Sequence, residues 1–459
     1  MNEENIIPKN DRKEIFGWMM YDWANSVFFT TVVGVLIGQY ITTLAQKAVG
    51  ENGVVISFGG YDLVTAKSLF SYSVGLSVFL QIFFLPVLGA IADYTHLKKT
   101  FMAFFTAVGV IGCCCLFFVQ GNLYLLGAAF FIVSNLGAGA SIVFYNSFLT
   151  DITTEDKRDS VSSYGFAMGY ASGALVLILN FIFLKNSEYF GVSTEMAVRI
   201  CLLTAGIWWG LFSLVTFSLV KTRIPQRTAP DGKNIVFAGI GELFQAFKEL
   251  FKLKHTLMFL CAYLLYNDGI QTVITSSSVF VGQELFVSKG LEVDNSVLLI
   301  AFLIAQIVGF FGALSFERIA NFFNAKTAIL VSLVIWCGIV IYAYAFLQNV
   351  MQAYIMSGFT GFVLGGSQAL SRSLFSQMIP VGRESAFFGI YEISERGTSW
   401  MGPIVFGLVA QITNSYRPAI LALIVFFIFG SIILFFTNTV RAIHEAGQHT
   451  PEEAQKLHD

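Results

Sequence analysis

Residues 221–254 read KTRIPQRTAPDGKNIVFAGIGELFQAFKELFKLK, which is the longest polar interruption in a strongly apolar chain. The first part of this stretch is rich in proline, glycine and charged residues, a composition typical of linkers. The second part repeats Phe and Leu at helical spacing opposite Glu and Lys, which predicts an amphipathic helix at the membrane surface. On either side the chain has room for six apolar segments. The stretch therefore predicts two six-helix halves.

We predict twelve transmembrane helices, because each crossing takes about 20 apolar residues. The predicted fold class is an all-α membrane protein with two pseudo-symmetric six-helix bundles. The predicted units are an N-terminal bundle over 1–220, a linker over 221–254, a C-terminal bundle over 255–440 and a tail over 441–459. The helices are expected at about 16–45, 67–91, 100–119, 122–149, 162–184, 196–220, 255–282, 295–315, 326–346, 350–379, 385–411 and 417–440.

The composition excludes several classes of protein. Of 459 residues, 56% are hydrophobic and only 12% are charged, whereas a soluble globular domain carries about 25% charged residues. Long uninterrupted apolar runs favour helices over a β-barrel, whose strands alternate in polarity. The sequence shows no metal-ligand spacing, no nucleophile–base pair and no large basic face. We therefore expect a protein of the lipid bilayer with no metal, no cofactor, no nucleic-acid partner and no enzymatic activity.

The distribution of Lys and Arg predicts the orientation in the membrane, since cytoplasmic loops are enriched in both. Most of the 27 basic residues fall on the side that carries the two termini and the linker. Both termini and the linker are therefore predicted to be cytoplasmic. The basic residues expected on the other side are Lys47, Lys67, Lys185, Arg199, Lys289 and Arg417.

Two carboxylates lie within apolar segments, Asp22 in the first and Asp268 in the seventh. A charged side chain at membrane depth costs at least about 2.5–3.5 kcal/mol, so such residues usually face a polar cavity and serve a function. Each acid is followed three residues later by an amide, Asn25 and Gln271, on the same helix face. No basic residue lies within a helical turn of either acid. Each is therefore expected to be a protonation site or to bind a substrate's amino group, the alternative being an interhelical polar contact.

The neighbours of the two acids extend the predicted site. Trp23 follows Asp22 and is placed to stack on a ligand, while Asn267 precedes Asp268 and adds a second amide. Asp268 falls near the middle of its helix, whereas Asp22 is only about two turns from the cytoplasmic start of the first helix. We therefore expect Asp268 at the central site and Asp22 as a more cytoplasmic, gating counterpart.

The turn after the second helix carries a predicted latch. Residues 89–93, GAIAD, are followed by Lys98 and Lys99 in a short cytoplasmic turn. This pattern resembles the helix two to three signature of the major facilitator superfamily, although Tyr94 replaces its usual basic residue. A carboxylate beside a basic turn can form an ion pair between bundles in one access state and lose it in the other. We expect Asp93 to carry this latch, the alternative being a helix-end charge in water.

A charged hairpin is predicted in the second half, where helices ten and eleven fold back at about residue 382. Pairing positions equidistant from that turn places Arg372 level with Glu392. Opposite charges inside a membrane usually pair, so we expect a neutralised network near the cytoplasmic side, with loss of the Arg partner or proton binding as the functional alternative. Glu395 has a less obvious partner and is the better candidate for coupling.

The two halves also share an internal repeat. It aligns the segments of the two acids, in each of which the acid is followed three residues later by an amide. It further aligns IADYTHLKK at 91–99 with IANFFNAKT at 319–327, and NSFL at 146–149 with RSLF at 372–375. Repeated six-helix halves are how many transporters place a site at the interface between the repeats.

Four stretches carry a closer resemblance: YDWANS at 21–26, YNDGIQTV at 266–273, GSQALSRS at 366–373 and FFGIYE at 387–392. Together they resemble the vacuolar-effluxer-like branch of the major facilitator superfamily, which includes bacterial members and an autophagy-related amino-acid exporter. The resemblance implies the major facilitator fold and alternating-access transport. It further implies a bacterial cytoplasmic membrane as the location.

The function predicted from residues and resemblance is secondary active transport of a small solute, an amino acid or similar metabolite, by a monomer. Efflux is one alternative for its direction, and protons and sodium are the alternatives for a coupling ion. Within transport, an uncoupled uniporter or exchanger is the second hypothesis. A non-transporting membrane receptor and a lipid scramblase are the hypotheses from other classes.

Overall fold

The computed structural model is almost entirely helical. We number its membrane helices α1 to α12. The structure describes residues 8–50, 53–59, 61–93, 96–223, 235–291, 294–396 and 401–458. In the first half, α1 to α6 span Arg12–Val49, Leu69–Asp93, Lys98–Cys115, Tyr124–Ile152, Arg158–Lys185 and Thr194–Leu219. In the second half, α7 to α12 span Lys254–Leu285, Asn295–Phe322, Ala325–Phe346, Val350–Gln377, Glu384–Arg396 and Tyr416–Phe436.

Within the described residues, ten helices are long and apolar enough to cross a membrane. The polar-rich α10 has 28 residues, which is also enough for a crossing. The predicted helix eleven corresponds to α11 and to the apolar segment Met401–Thr413, which follows residues 397–400 outside the description. The architecture agrees with the predicted helical membrane fold. A small antiparallel hairpin, β1 (Val54–Phe58) and β2 (Tyr61–Thr65), lies between α1 and α2 and was absent from the prediction.

Side-chain caps fix where several helices begin. Asp11 accepts a hydrogen bond from the backbone of Lys13 at the start of α1. At the start of α10, Asn349 and Gln352 form a reciprocal capping box. Such caps satisfy backbone N–H groups that have no partner inside the helix. Between its ends, α1 contains a nine-residue π-helical segment, Phe28–Leu36, which changes the phase of its side chains.

Small residues let the helices approach closely. An added Cβ at Gly312 would lie 2.1 Å from a backbone oxygen of α10, and one at Gly361 would lie 2.1 Å from a backbone oxygen of α8. Gly169 and Gly173 similarly bring α5 against α1, at Ser26 and Thr30. Without a hydrophobic driving force between helices in lipid, this close packing is a main source of helix association.

The two halves meet at one end of the bundle, which we call the linker face. It carries the α2–α3, α4–α5 and α10–α11 turns and the linker helix Ile235–Lys252. Here α2 packs on α11, and α5 packs on α8 and α10. The linker helix contacts α2 and α11, with Glu249 2.9 Å from Arg383, so it touches both halves.

At the opposite face a cavity of about 520 Å³ opens between α1 and α2. Its polar lining includes Gln39, Thr42, Thr43, Lys67 and Ser71. In the described part of the chain, none of the predicted site residues lines this cavity. The molecule is thus closed by contacts between the halves at the linker face, and the cavity at the opposite face lies between two helices of the N-terminal half.

Candidate functional site

The centre of the closed linker face is Arg372, which extends from α10 into the N-terminal half. Its Nη1 and Nη2 lie 3.4 Å from Oδ2 of Asp22 on α1. Its Nε donates to the Ser162 hydroxyl, and Nη2 donates to the Ser162 carbonyl, both at 2.9 Å. Arg372 and Asp22 are 3% and 8% exposed. A buried cation of one half is therefore neutralised by a carboxylate of the other.

Three aromatic rings of the N-terminal half surround the same guanidinium. Its carbon lies 4.9 Å from the ring centre of Trp18, 5.5 Å from Tyr145 and 4.2 Å from Phe166. Ring faces attract cations by about 0.5–2 kcal/mol each, more when water is excluded. We call the three rings together with Asp22 the cation cage. Trp18 and Tyr145 are fully buried and Phe166 is half-buried.

Asp22 is fixed by a second contact, because the Tyr145 hydroxyl donates to its Oδ2 at 2.6 Å. The pair also needs Gly165 on α5. A Cβ at this position would lie 2.5 Å from Asp22 Oδ2 and 3.2 Å from Arg372 Nη2. The absence of a side chain at residue 165 thus allows the two charges to meet.

The premise that Asp22 has no cation partner was wrong. Sequence proximity showed no basic residue near it, but Arg372 reaches it from a helix 350 positions later. The charge of Asp22 is therefore compensated in this conformation. A role for Asp22 as an isolated protonation site no longer follows from its surroundings.

The sequence predicts Arg372 at the same level as Glu392, and in the structure both side chains contact Asn146 on α4. Asn146 Oδ1 lies 3.4 Å from Arg372 Nη1, and its Nδ2 donates to Glu392 Oε1 at 3.0 Å. One carboxamide of the N-terminal half thus joins two charges of the C-terminal half. The side chain of Glu395 lies outside the described residues, so its expected coupling role stays a prediction.

Trp23 does not adjoin the Asp22–Arg372 pair. It packs against Trp208 and Phe212 of α6, with ring centres 5.8 and 6.1 Å away. The tryptophan beside the pair is Trp18, which lies four residues before Asp22 and so shares its helix face. Asn25 is buried on α1. The predicted stacking role fits Trp18 better than Trp23.

Asp268 is fully buried inside the C-terminal half. Its Oδ2 accepts a hydrogen bond from the Gly402 backbone at 2.7 Å, while Oδ1 has no hydrogen-bond partner in the described part of the chain. Asn267 is also buried, whereas Gln271 is partly exposed. The repeat-related acids therefore differ: Asp22 pairs across the halves, and Asp268 binds a neighbouring helical segment of its own half.

The predicted latch has different partners from those expected. Asp93 accepts hydrogen bonds from the backbone N–H groups of Ser385 and Ala386 at 2.9 Å, at the start of α11 in the other half. A helix N-terminus attracts anions because its first N–H groups lack partners and its dipole is positive there. Lys98 pairs instead with Asp151 at 2.9 Å, and Lys99 donates to a backbone carbonyl at the end of α6. Asp93 does bridge the halves, but through backbone donors.

The C-terminal tail adds a further contact between the halves. Gln448 accepts from Arg158 of α5 at 2.7 Å and donates to the Ile379 carbonyl at 2.6 Å. Within the tail, Glu453 accepts from the Thr450 backbone and lies 2.9 Å from His444 Nε2. The Thr450 hydrogen bond, and next the His444 contact, lower the pKa of Glu453 to about 2. The tail is thus an ordered element that touches both halves.

Sequence reasoning missed Trp18, Tyr145, Ser162 and Phe166 as members of the site. Two signals were available. The spacing of four residues places Trp18 on the Asp22 face, and the internal repeat aligns Asn146 with Arg372, which meet in the structure. Ser162 and Phe166 lack any comparable signal in the sequence.

The sequence matches the family model described as "Vacuole effluxer Atg22 like" over residues 10–447. The "Uncharacterized MFS-type transporter YxiO" of Bacillus subtilis is 31% identical over 430 residues, covering 93% of this chain and 95% of that relative. Autophagy-related protein 22 of Coccidioides immitis is 26% identical, with 89% of this chain and 83% of the relative covered. These matches span nearly the whole membrane region.

Two solved structures share the fold. The human organic anion transporter MFSD10 superposes with a TM-score of 0.67 at 13% identity, covering 93% of this chain and all of that one. The major facilitator transporter FucP, in its outward conformation, superposes with a TM-score of 0.64 at 12% identity, covering 93% and 98%. The predicted fold class is confirmed, and the relatives and neighbours are transporters rather than enzymes. The chain belongs to the vacuole effluxer Atg22-like family of major facilitator superfamily transporters.

Proposed function

We propose that this chain is a secondary active transporter that moves a small solute, an amino acid or similar metabolite, by alternating access. The main support for this proposal is the buried pair of Asp22 and Arg372, which joins the two halves at the closed linker face. Such a pair must break when that face opens, so its strength sets part of the balance between the two access states.

Further contacts between the halves surround this pair, and we propose that together they form a gate with several layers. Asp93 holds the start of α11, and Asn146 holds Glu392 on the same helix. Both contacts join residues 1–220 to residues 255–440, the two units that we propose move against each other. Because each layer is made by one chain, we propose that the monomer is the transporting unit.

The basic residues support a cytoplasmic linker face. Lys98, Lys157, Arg158 and Arg383 all lie there, as the positive-inside rule requires of a cytoplasmic side. With the transporter of Bacillus subtilis as a relative, we propose the cytoplasmic membrane of a bacterium as the location. The structure then corresponds to a state closed toward the cytoplasm.

For Asp268 we propose a coupling role. Among the residues that the structure describes, Oδ1 of this buried carboxylate has no hydrogen-bond partner, which is costly, and proton binding reduces that cost. We propose that Gln271 and Asn267 bind solute from the same helix, and that Glu392 and Glu395 respond when the halves move. Asp268→Asn keeps the size of the side chain and removes the titratable carboxyl group.

The experiment is transport in proteoliposomes that contain the purified chain. A panel of amino acids, peptides and small cations, chosen by thermal shift at two pH values, supplies the solute. A wild-type signal that needs a pH gradient, and an Asp268→Asn variant that inserts normally but does not respond to the gradient, agree with the proposal. Gradient-driven transport by Asp268→Asn at the wild-type rate would exclude the coupling role.

An uncoupled uniporter or exchanger is the second candidate, favoured by the charge-compensated state of Asp22. It predicts the same solute flux with and without a pH gradient. Counterflow in the absence of any gradient measures this directly.

A further inference from the structure

We propose that the cation cage is a binding site for a compact organic cation, which Arg372 fills in this state and a cationic group of the solute fills when the halves separate. This inference rests on the proposed alternating-access function. It assigns a substrate class, a small solute with a guanidinium or primary ammonium group.

The chemistry of the cage is that of a cation site. Three ring faces and one carboxylate converge on a single positive group. The hydrogen-bonding oxygens around the guanidinium are all acceptors: Asp22 Oδ2, Asn146 Oδ1, the Ser162 hydroxyl and the Ser162 carbonyl. A group rich in N–H donors satisfies these acceptors, whereas a quaternary ammonium has no donor and an anion is repelled.

The cage is assembled by the N-terminal half alone. Trp18 and Tyr145 stack with ring centres 4.4 Å apart and an interplanar angle of 15°. The Trp18 indole donates to the Tyr145 carbonyl at 2.8 Å, and the Tyr145 hydroxyl holds Asp22. None of these bonds involves Arg372. The site therefore keeps its geometry when Arg372 leaves, and a preorganised site binds with less loss of conformational freedom.

The occupant of the cage belongs to the moving half. Arg372 lies on α10, so opening of the linker face withdraws it from the rings and from Asp22. Removing one partner of a buried ion pair is unfavourable because the other charge is left uncompensated. A cation that enters the cage offsets this cost. The solute and Arg372 then compete for one site, and binding of the solute favours the open linker face.

The first test uses the purified full-length chain with Arg372→Ala, which empties the cage. The probe is methylguanidinium at low millimolar concentration, with urea as a neutral planar control and NaCl for ionic strength. We expect saturable binding, measured as thermal stabilisation and as a change in tryptophan fluorescence. Binding should weaken at least tenfold in the double variant Asp22→Asn/Arg372→Ala. Equal responses in the two variants, or an equal response to urea, would overturn the proposal.

The second test uses the wild-type gate and covers the case in which Arg372→Ala does not fold. Spin labels at residues 157 and 381, on exposed turns of the two halves, report the width of the linker face. We expect methylguanidinium to increase the population with the longer distance at least threefold, and urea to leave it unchanged. If the linker face opens under other conditions but methylguanidinium does not change its width, the cage proposal is overturned and the proposed function is not. A face that opens under no condition contradicts the proposed function instead.

Discussion

Gly165→Ala tests the gate without changing any charge. The new Cβ would lie 2.5 Å from Asp22 Oδ2 and 3.0 Å from the Trp18 ring. The Asp22 carboxylate has to move, and its 2.6 Å hydrogen bond from Tyr145 and its contact with Arg372 are lost or lengthened. Because these contacts join the halves only while the linker face is closed, the substitution should favour the open linker face.

The size of the effect follows from the packing. Inserting a methyl group into a filled site costs about 1–3 kcal/mol. If the open state is relieved of this clash, the ratio of open to closed molecules rises by about 5- to 150-fold, at 1.36 kcal/mol per tenfold. Local relaxation of the Asp22 side chain places the expected value toward the lower end of this range.

The assay is double electron–electron resonance on the chain in lipid nanodiscs, with labels at residues 157 and 381. The matched control is Gly75→Ala, because a Cβ at Gly75 on α2 meets no atom within 4 Å. We expect a longer distance across the linker face for Gly165→Ala and the wild-type distribution for Gly75→Ala. A wild-type distribution for Gly165→Ala would refute the reasoning that this glycine permits the ion pair.

Three further predictions concern the other contacts between the halves and the tail. Asp93→Asn removes the charge that holds the two N–H groups at the start of α11. The closed linker face should therefore lose about 1.5–3 kcal/mol of stability relative to the open one, measured from the populations that the same spin labels report. An unchanged distance distribution would show that Asp93 is not a latch. Gln448→Ala removes one of the acceptors of the buried Arg158, and hydrogen exchange at the start of α5 should accelerate, whereas exchange at the wild-type rate would mean that the tail contact does not stabilise the closed face. Because the pKa of Glu453 is lowered, its contribution to tail structure is present above the usual glutamate pKa and is lost as the pH falls toward about 2. The protection factors of the tail amides, which correct for the pH dependence of intrinsic exchange, should therefore change little from pH 7 to pH 5. Loss of protection in that range, or Glu453→Gln behaving as wild type, would contradict this assignment.

The sequence was sufficient for the fold class because membrane helices are set by local composition. Long apolar runs with few charges leave helices as the only structure that satisfies the backbone in lipid. The linker helix also follows from local spacing. The β-hairpin after α1 was missed although the sequence signals it. VVISF at 54–58 and YDLVT at 61–65 are short runs rich in β-branched and aromatic residues, and the Gly-Gly pair between them is typical of a hairpin. A search for apolar runs of about 20 residues passes over such short strands.

The site was harder to predict because it lies between halves. Asp22 and Arg372 were each identified as unusual charges at membrane depth, but their pairing depends on the rotation between two bundles, which no local pattern encodes. Helix spacing is a within-helix rule, so it showed no cation near Asp22. The expected latch between Asp93 and the lysines of the turn came instead from the resemblance to the superfamily signature. The internal repeat held more information, since it aligned Asn146 with Arg372 and these equivalent positions meet at the interface between the halves.

The most direct test of the central claim is a double-mutant cycle on the inter-half ion pair, read from linker-face distances in nanodiscs. The variants are Asp22→Asn, Arg372→Gln and the double substitution. We predict that each single variant populates the open linker face and that the double variant opens it no further, with an interaction free energy of about 1–3 kcal/mol between the two sites. Additive effects of the two substitutions, or single variants that stay closed like the wild type, would contradict the claim that this pair is the gate.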